Sequence, residues 1–404
     1  MGGAAGRTAQ VALVATLAIQ VFTALTSAAP AVLAPALAAD LAGTPKWIGV
    51  FVSLMYGGAM LGSLACGEFI ARYGAIRVSQ ACVLLCATGI GAVALLPASA
   101  APLLAAAAFA MGIGYGPITA ASSEILVRTT PVERMALTFS IKQTGVPGGI
   151  ALAGAVMPGL ALLAGWRGAF VAVALAGLAV ALSAEPTRKS LDRVHGAGTA
   201  FSLATFLAPL RTVLGSPALR ELSLVGFAFA AVQVSLTSFL VTYLADALHW
   251  SLVTAGLALT CATTSAVAGR IFWGIVADRW LPPLRTLALV GAIAAASGVA
   301  LAASGPGWPA WVVLPLTAIY GATAIGWNGV QLAELARRAP AGTAGAVTGA
   351  SGFVTFGGVV AGPLVFAGLA GLTGSYRTGF AVCAAVSAVA AVALLGRARR
   401  PAPH

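Results

Sequence analysis

Long apolar runs, nearly free of charge, recur from one end of the chain to the other, and they leave few folds open. A helix needs about 20 apolar residues to cross the hydrocarbon of a bilayer. Runs of that kind are expected at 11–38, 47–70, 78–96, 102–127, 135–163, 168–184, 217–245, 252–276, 285–303, 310–336, 344–371 and 378–396. A chain of 404 residues would otherwise suggest two or three soluble domains. Only 8% of its residues are charged, against about 25% in a soluble domain, too few to build a water-facing surface. The first run follows Arg7 and exceeds a signal-peptide core, so it reads as an uncleaved span.

The net charge of +12 invites a nucleic-acid partner. The distribution argues against one, because the basic residues stand singly or in small groups between apolar runs, as orientation signals do. With the N-terminus cytoplasmic, Arg72, Arg77, Arg128, Arg134, Arg279, Arg285, Arg337, Arg338, Arg397, Arg399 and Arg400 all fall inside. Only Lys46, Arg167 and Arg377 fall outside, which is the asymmetry of the positive-inside rule. Both termini are then cytoplasmic.

The segment 185–216 is the one polar linker, with Glu185, Arg188, Lys189, Asp192, Arg193, His195 and Arg211. It divides the chain into 1–184 and 217–404, six spans each. The halves repeat. A shift of 210 residues lays Gly116 on Gly326, Glu124 on Glu334, Arg128 on Arg338 and Phe170 on Phe380. A shift of 207 lays Gly67 on Gly274 and Arg72 on Arg279. The expected fold is an all-α membrane protein of twelve transmembrane helices in two pseudo-symmetric six-helix bundles, an architecture of secondary transporters.

No enzyme is expected. His195, His249 and His404 fall in the linker, an outer loop and the tail, and no Ser/His/Asp or metal-ligand cluster is visible. Cys66, Cys82, Cys86, Cys261 and Cys383 lie within apolar runs and read as small packing residues. Gly112-Ile113-Gly114-Tyr115-Gly116-Pro117 follows an Ala-rich span rather than a strand, so it is no phosphate loop. No cofactor or metal is implied.

The loop after the eighth span, Gly274-Ile275-Val276-Ala277-Asp278-Arg279, resembles the loop signature G-x-x-x-D-[RK] of the major facilitator superfamily. The loop after the second span, Gly67-Glu68-Phe69-Ile70-Ala71-Arg72-Tyr73-Gly74, keeps both glycines and Arg72 but has Ala71 where that family usually has Asp. Gly145-Val146-Pro147-Gly148-Gly149, with Gly357-Gly358 and Gly362-Pro363, resembles the family's Gly/Pro-rich fifth and eleventh helices. The resemblance covers essentially the whole chain and implies alternating access. A narrower one rests on Gly269-Arg270-Ile271-Phe272-Trp273-Gly274 and Ile141-Lys142-Gln143-Thr144-Gly145, which are similar to the eighth and fifth helices of oxalate:formate antiporters and monocarboxylate transporters. In that group an arginine at the place of Arg270 binds the substrate carboxylate. The group's acidic first-helix motif is missing.

Charges inside spans are costly and usually mark a pathway. Lys142 and Arg270 are expected at similar depths, roughly 10 and 12 Å from the cytoplasmic face at 1.5 Å per residue. Two cations facing one cavity would repel unless an anion lay between them. The expected partner is therefore a small organic anion, a mono- or dicarboxylate, held by Arg270 in bidentate fashion and by Lys142 as a point charge. The competing reading has Lys142 snorkelling to the interface and Arg270 paired with Asp278 or a helix C-terminus.

Helical spacing adds candidates for the same site. They are Gln20 and Thr23 on the first span, Tyr115 and Thr119 on the fourth, Gln233 and Thr237 on the seventh, Thr263 on the eighth and Asn328 on the tenth. Gln143, Tyr56 and Trp327 join them. Residues of these types also serve simply as bonds between helices. A cytoplasmic gate is expected from Arg72, Glu124, Arg128, Asp278, Arg279, Glu334 and Arg338 pairing across loops. No acid lies near a span centre, so coupling to protons and exchange against a counter-anion both fit. The expected protein is a monomeric carrier of the bacterial inner membrane. Multidrug or metabolite efflux is the alternative, and a sensor built on a carrier scaffold ranks last.

Overall fold

A computed structural model describes residues 3–40, 46–97, 99–192 and 203–398, without the side chains of 3–5, 38–40, 46–48 and 203. Arg193, His195, Arg399, Arg400 and His404 lie outside the described residues. In chain order the helices are α1 (Gly3–Val32), α2 (Ala34–Asp40), α3 (Lys46–Tyr73), α4 (Ala75–Leu95), α5 (Ala101–Tyr115), α6 (Pro117–Thr129), α7 (Met135–Gln143) and α8 (Gly145–Leu191). There follow α9 (Leu203–Gly215), α10 (Pro217–Leu248), α11 (Leu252–Arg279), α12 (Pro283–Ala303), α13 (Ala310–Ala324), α14 (Asn328–Arg338), α15 (Ala344–Thr373) and α16 (Tyr376–Ala398). No strand occurs among the described residues.

Among the described residues eleven helical stretches are long and apolar enough to cross a membrane, where the sequence suggested twelve spans. The difference lies in Val132–Leu191, a stretch of 60 residues. A straight helix of that length would reach about 90 Å, three times the hydrocarbon thickness of about 30 Å. It is not straight, because Gly165 leaves the helical region with φ 70° and ψ 168°. Glycine alone reaches such a conformation without steric cost. The turn falls between the fifth and sixth expected spans.

Three further interruptions divide runs that read as continuous. The fourth span breaks at Gly116, between α5 and α6, with Pro117 opening α6, where its missing N–H is not needed. The tenth breaks at Ile325–Trp327, between α13 and α14. The fifth breaks at Thr144, between α7 and α8.

The helices form two compact units. The first comprises Met1–Pro131, Lys142–Ser216 and Ala336–Phe353. Here α1 and α4 pack on α8, and α3 and α4 on α5. Glycines bring the backbones close: a methyl group on Gly112 would overlap Met55 O, and one on Gly116 would overlap Ala59 O. The second unit comprises Val132–Ile141, Pro217–Leu335 and Val354–His404. Here α12 packs on α16 and α11 on α13, and Gly321 lies against the Ala262 carbonyl. Its aromatic core stacks Phe239 on Phe366 at 4.4 Å, and Tyr243 Oη donates to Leu301 O at 2.7 Å.

Large apolar side chains stand exposed along the helices. Leu162 is 89% exposed, Leu163 86% and Leu372 87%. Water would penalise such a surface, and lipid does not.

Candidate functional site

In the first unit the break at Thr144 places Lys142 at the last turn of α7, where it is 1% exposed. Its Nζ donates to Gln20 Oε1 at 2.6 Å and to Gln143 Oε1 at 3.1 Å. Thr119 Oγ1 donates to the same Gln20 oxygen at 3.4 Å. Four of the expected residues thus meet, and the ammonium is held by side-chain amides inside the unit. Thr23 turns away from this cluster, its hydroxyl donating to Ile19 O (3.0 Å) and Gln20 O (3.2 Å) of its own helix. Tyr56 and Tyr115 are half-buried.

In the second unit Arg270, on α11, is 2% exposed. Its Nε donates at 3.3 Å to Ile325 O, the carbonyl that caps α13 at the break in the tenth span. A pairing with a helix C-terminus was one of the two readings of this arginine, and one of its five donors has that role. Trp273, one turn along α11, does the same work for a neighbouring carbonyl: Nε1 donates to Ala322 O at 2.9 Å. A freed backbone carbonyl in a dry interior is costly, and these two side chains answer it. Sequence reasoning missed Trp273 as a support, although its i+3 spacing from Arg270 put both on one face.

Trp327 and Asn328 stand at the same break. Trp327 is 1% exposed and meets Phe229 edge-on at 5.6 Å. Trp327 Nε1, Asn328 Oδ1 and Gln233 Oε1 are buried atoms without a hydrogen-bond partner. Thr237 directs its hydroxyl to Gln233 O and Val234 O within α10. Thr263 is exposed and bonds Leu259 O.

Carboxylates hold helix starts in both units. In the first, Glu124 is 5% exposed and accepts from Gly345 N at 2.9 Å, in the first turn of α15. Arg128 donates to Glu124 O and to Leu191 O. Arg72 pairs with Glu68 at 2.7 Å. In the second unit Asp278 accepts from Ala136 N (3.0 Å) and Leu137 N (2.8 Å), in the first turn of α7. Neither α7 nor α15 has an acid of its own in its first turn. Arg279 is exposed, Arg338 half-buried, and Glu334 is 1% exposed. Glu124 and Asp278, two of the residues expected at a gate, therefore act on backbone N–H groups, at the positive ends of helices, where an anion is favoured.

Asp192 adds a third bond of this kind, unnoticed in the sequence. It accepts from Ile76 N at 2.6 Å and Arg77 N at 3.3 Å, at the start of α4. Burial raises its carboxyl above the ordinary range, and the bonds from Ile76 and Arg77, with Arg188 and Arg128 nearby, pull the other way.

The profile of the Major Facilitator Superfamily matches residues 16–363, and the chain belongs to that family. An uncharacterized MFS-type transporter of Mycobacterium tuberculosis, found in two strains, is 28% identical over 291 residues. That alignment covers 71% of this chain and 62% of the relative, so the match spans about three-fifths of the relative's length. Among solved structures, the fold is similar to the Escherichia coli fucose:proton symporter, with a TM-score of 0.76 and 16% identity over 96% of this chain and 98% of that one. It is similar to a bacterial homologue of the iron transporter ferroportin in an outward-facing state, with a TM-score of 0.76 and 16% identity over 97% and 100%. The human organic anion transporter MFSD10 gives 0.73 and 18% over 96% and 99%. At such identities the likeness is one of fold. The family and the apolar helices together define a multi-pass membrane protein.

Proposed function

We propose that the protein carries a small organic anion, a mono- or dicarboxylate, across the bacterial inner membrane by alternating access. The observation that supports this most is Arg270, a guanidinium 2% exposed at a broken helix deep in an apolar unit. An intramembrane arginine is expensive, and a planar fork suits a carboxylate. Lys142, in the other unit, is the second buried positive charge. The bonds from Glu124 and Asp278 to helix starts form the cytoplasmic gate and break once in each cycle. Transport couples to a proton or exchanges one anion for another. The chain works as a monomer.

Uptake of a panel of carboxylates into proteoliposomes tests this, with and without a pH gradient and with counter-anion inside. Uptake of at least one carboxylate is expected, and Arg270→Gln should abolish it. Normal uptake by that variant would overturn the reading. Extrusion of lipophilic compounds without carboxylate uptake would favour efflux.

A further inference from the structure

A bare carboxylate does not satisfy the groups gathered at the break in the tenth span. Ile325 O accepts from Arg270, and Trp327 and Asn328 follow Ile325 by two and three residues. Phe229 meets the Trp327 ring at 5.6 Å, and Gln233 lies one turn further along the same face of α10. One guanidinium, one unpartnered N–H donor (Trp327 Nε1) and two unpartnered acceptors (Asn328 Oδ1, Gln233 Oε1) therefore share a neighbourhood within one unit. A buried polar atom without a partner costs about 1–3 kcal/mol, so native structures hold few. Two at the helix break and a third on α10, one turn from the Phe229 that meets Trp327, mark a place built for something else to bind.

A carboxylate offers acceptors only. It can take Arg270 and the Trp327 N–H, but it brings no donor to either amide oxygen, whereas a single hydroxyl answers one of them. Those oxygens require a donor. An ammonium would bring a second cation to Arg270, whereas a hydroxyl donates without charge. Building on the anion reading above, we propose that the transported anion carries a hydroxyl on its carbon chain. The hydroxyl donates to Asn328 Oδ1 or Gln233 Oε1 while the carboxylate meets Arg270 and Trp327 Nε1. The substrate class is a hydroxylated carboxylate, and Trp327, Asn328 and Gln233 set the preference for it over its deoxy counterpart.

The test compares uptake of radiolabelled matched pairs into proteoliposomes: glycolate against acetate, 3-hydroxybutyrate against butyrate, malate against succinate. For the pair whose length fits, the hydroxylated member should enter roughly 10–100-fold faster at sub-saturating concentration, because the analogue leaves an acceptor unpaired. Asn328→Leu or Gln233→Met should narrow that gap by slowing the hydroxylated member. Equal uptake within every pair by the wild-type chain, still lost in Arg270→Gln, would overturn the hydroxyl assignment and leave the anion reading standing. A gap that survives in both acceptor variants would overturn the roles of Asn328 and Gln233. No uptake of any carboxylate would remove the anion reading, and this inference with it. The wild-type comparison decides even if a variant fails to fold.

Discussion

In the first unit the buried cation, Lys142, is met by two side-chain amides; in the second, Arg270 is met by a backbone carbonyl freed at a helix break. The carboxylate that holds a helix start differs in the same way. In the second unit it comes from the loop, as Asp278. In the first the matching loop position is Ala71, and Glu124 at the end of the fourth span takes the role. Glycines at matching places tolerate close contact in both: Gly67 lies against Ala346, and Gly274 against Leu137 and Ser140. The repeated scaffold thus fixes where backbones touch and where helix starts need an anion. It leaves open which side chain answers. A duplicated fold can exchange the source of a charge as long as the charge reaches the same kind of backbone site.

The two cations should respond differently to substitution, and this is the largest effect expected. Arg270→Lys keeps the charge but loses the fork, and uptake should fall roughly 10–100-fold, the worth of a charge-assisted bond or two. Lys142→Gln keeps a donor for the Gln20 oxygen and should cost only about tenfold. Equal losses measured in proteoliposomes would erase the distinction between the units.

A smaller effect sharpens the comparison of helix starts. Glu124→Ala removes a cap worth about 0.5–2 kcal/mol and should lower the thermal stability of the purified chain. Adding Ala71→Asp moves the acid to the place the second unit uses and should restore part of the loss. In transport assays Asp278→Asn should lower the turnover rate more than it raises KM if the bond belongs to the proposed gate. A change in KM alone would argue against the gate.

The smallest effect is a pH dependence confined to the first unit. The folded state holds the Asp192 proton more tightly than the unfolded chain does, because burial raises its carboxyl. Its contribution to stability is therefore full below the ordinary carboxylate value and is lost as pH rises through the raised one. Asp192→Asn should flatten that slope in thermal unfolding measured across the window. An unchanged slope would show that another group is responsible.

Much of the scaffold could be read in the sequence because lipid imposes a simple rule on it. Twelve runs, a positive-inside asymmetry and a repeat at 210 residues were enough to suggest a two-part carrier. The span count itself was harder, since the turn at Gly165 leaves no polar loop between two runs. The buried and bonded charges at Arg270, Lys142, Glu124 and Asp278 were conspicuous in the sequence. Thr23, Thr237 and Thr263 shared helical faces with these residues, but each hydroxyl bonds a carbonyl of its own helix. Spacing along a helix cannot distinguish a hydroxyl turned inward from one turned back on its own backbone.

By itself the sequence determined that this chain lives in lipid and that its spans are helices, and it suggested a repeat, since hydropathy and charge act locally and survive any packing. Only the tertiary structure decided that Arg270 answers a broken helix, that Gln20 receives Lys142, and that Asp192, Glu124 and Asp278 hold the starts of helices distant in sequence. Those facts depend on which backbone groups are left without a partner when helices break and pack. Nothing in a linear chain records that until the backbones are in contact.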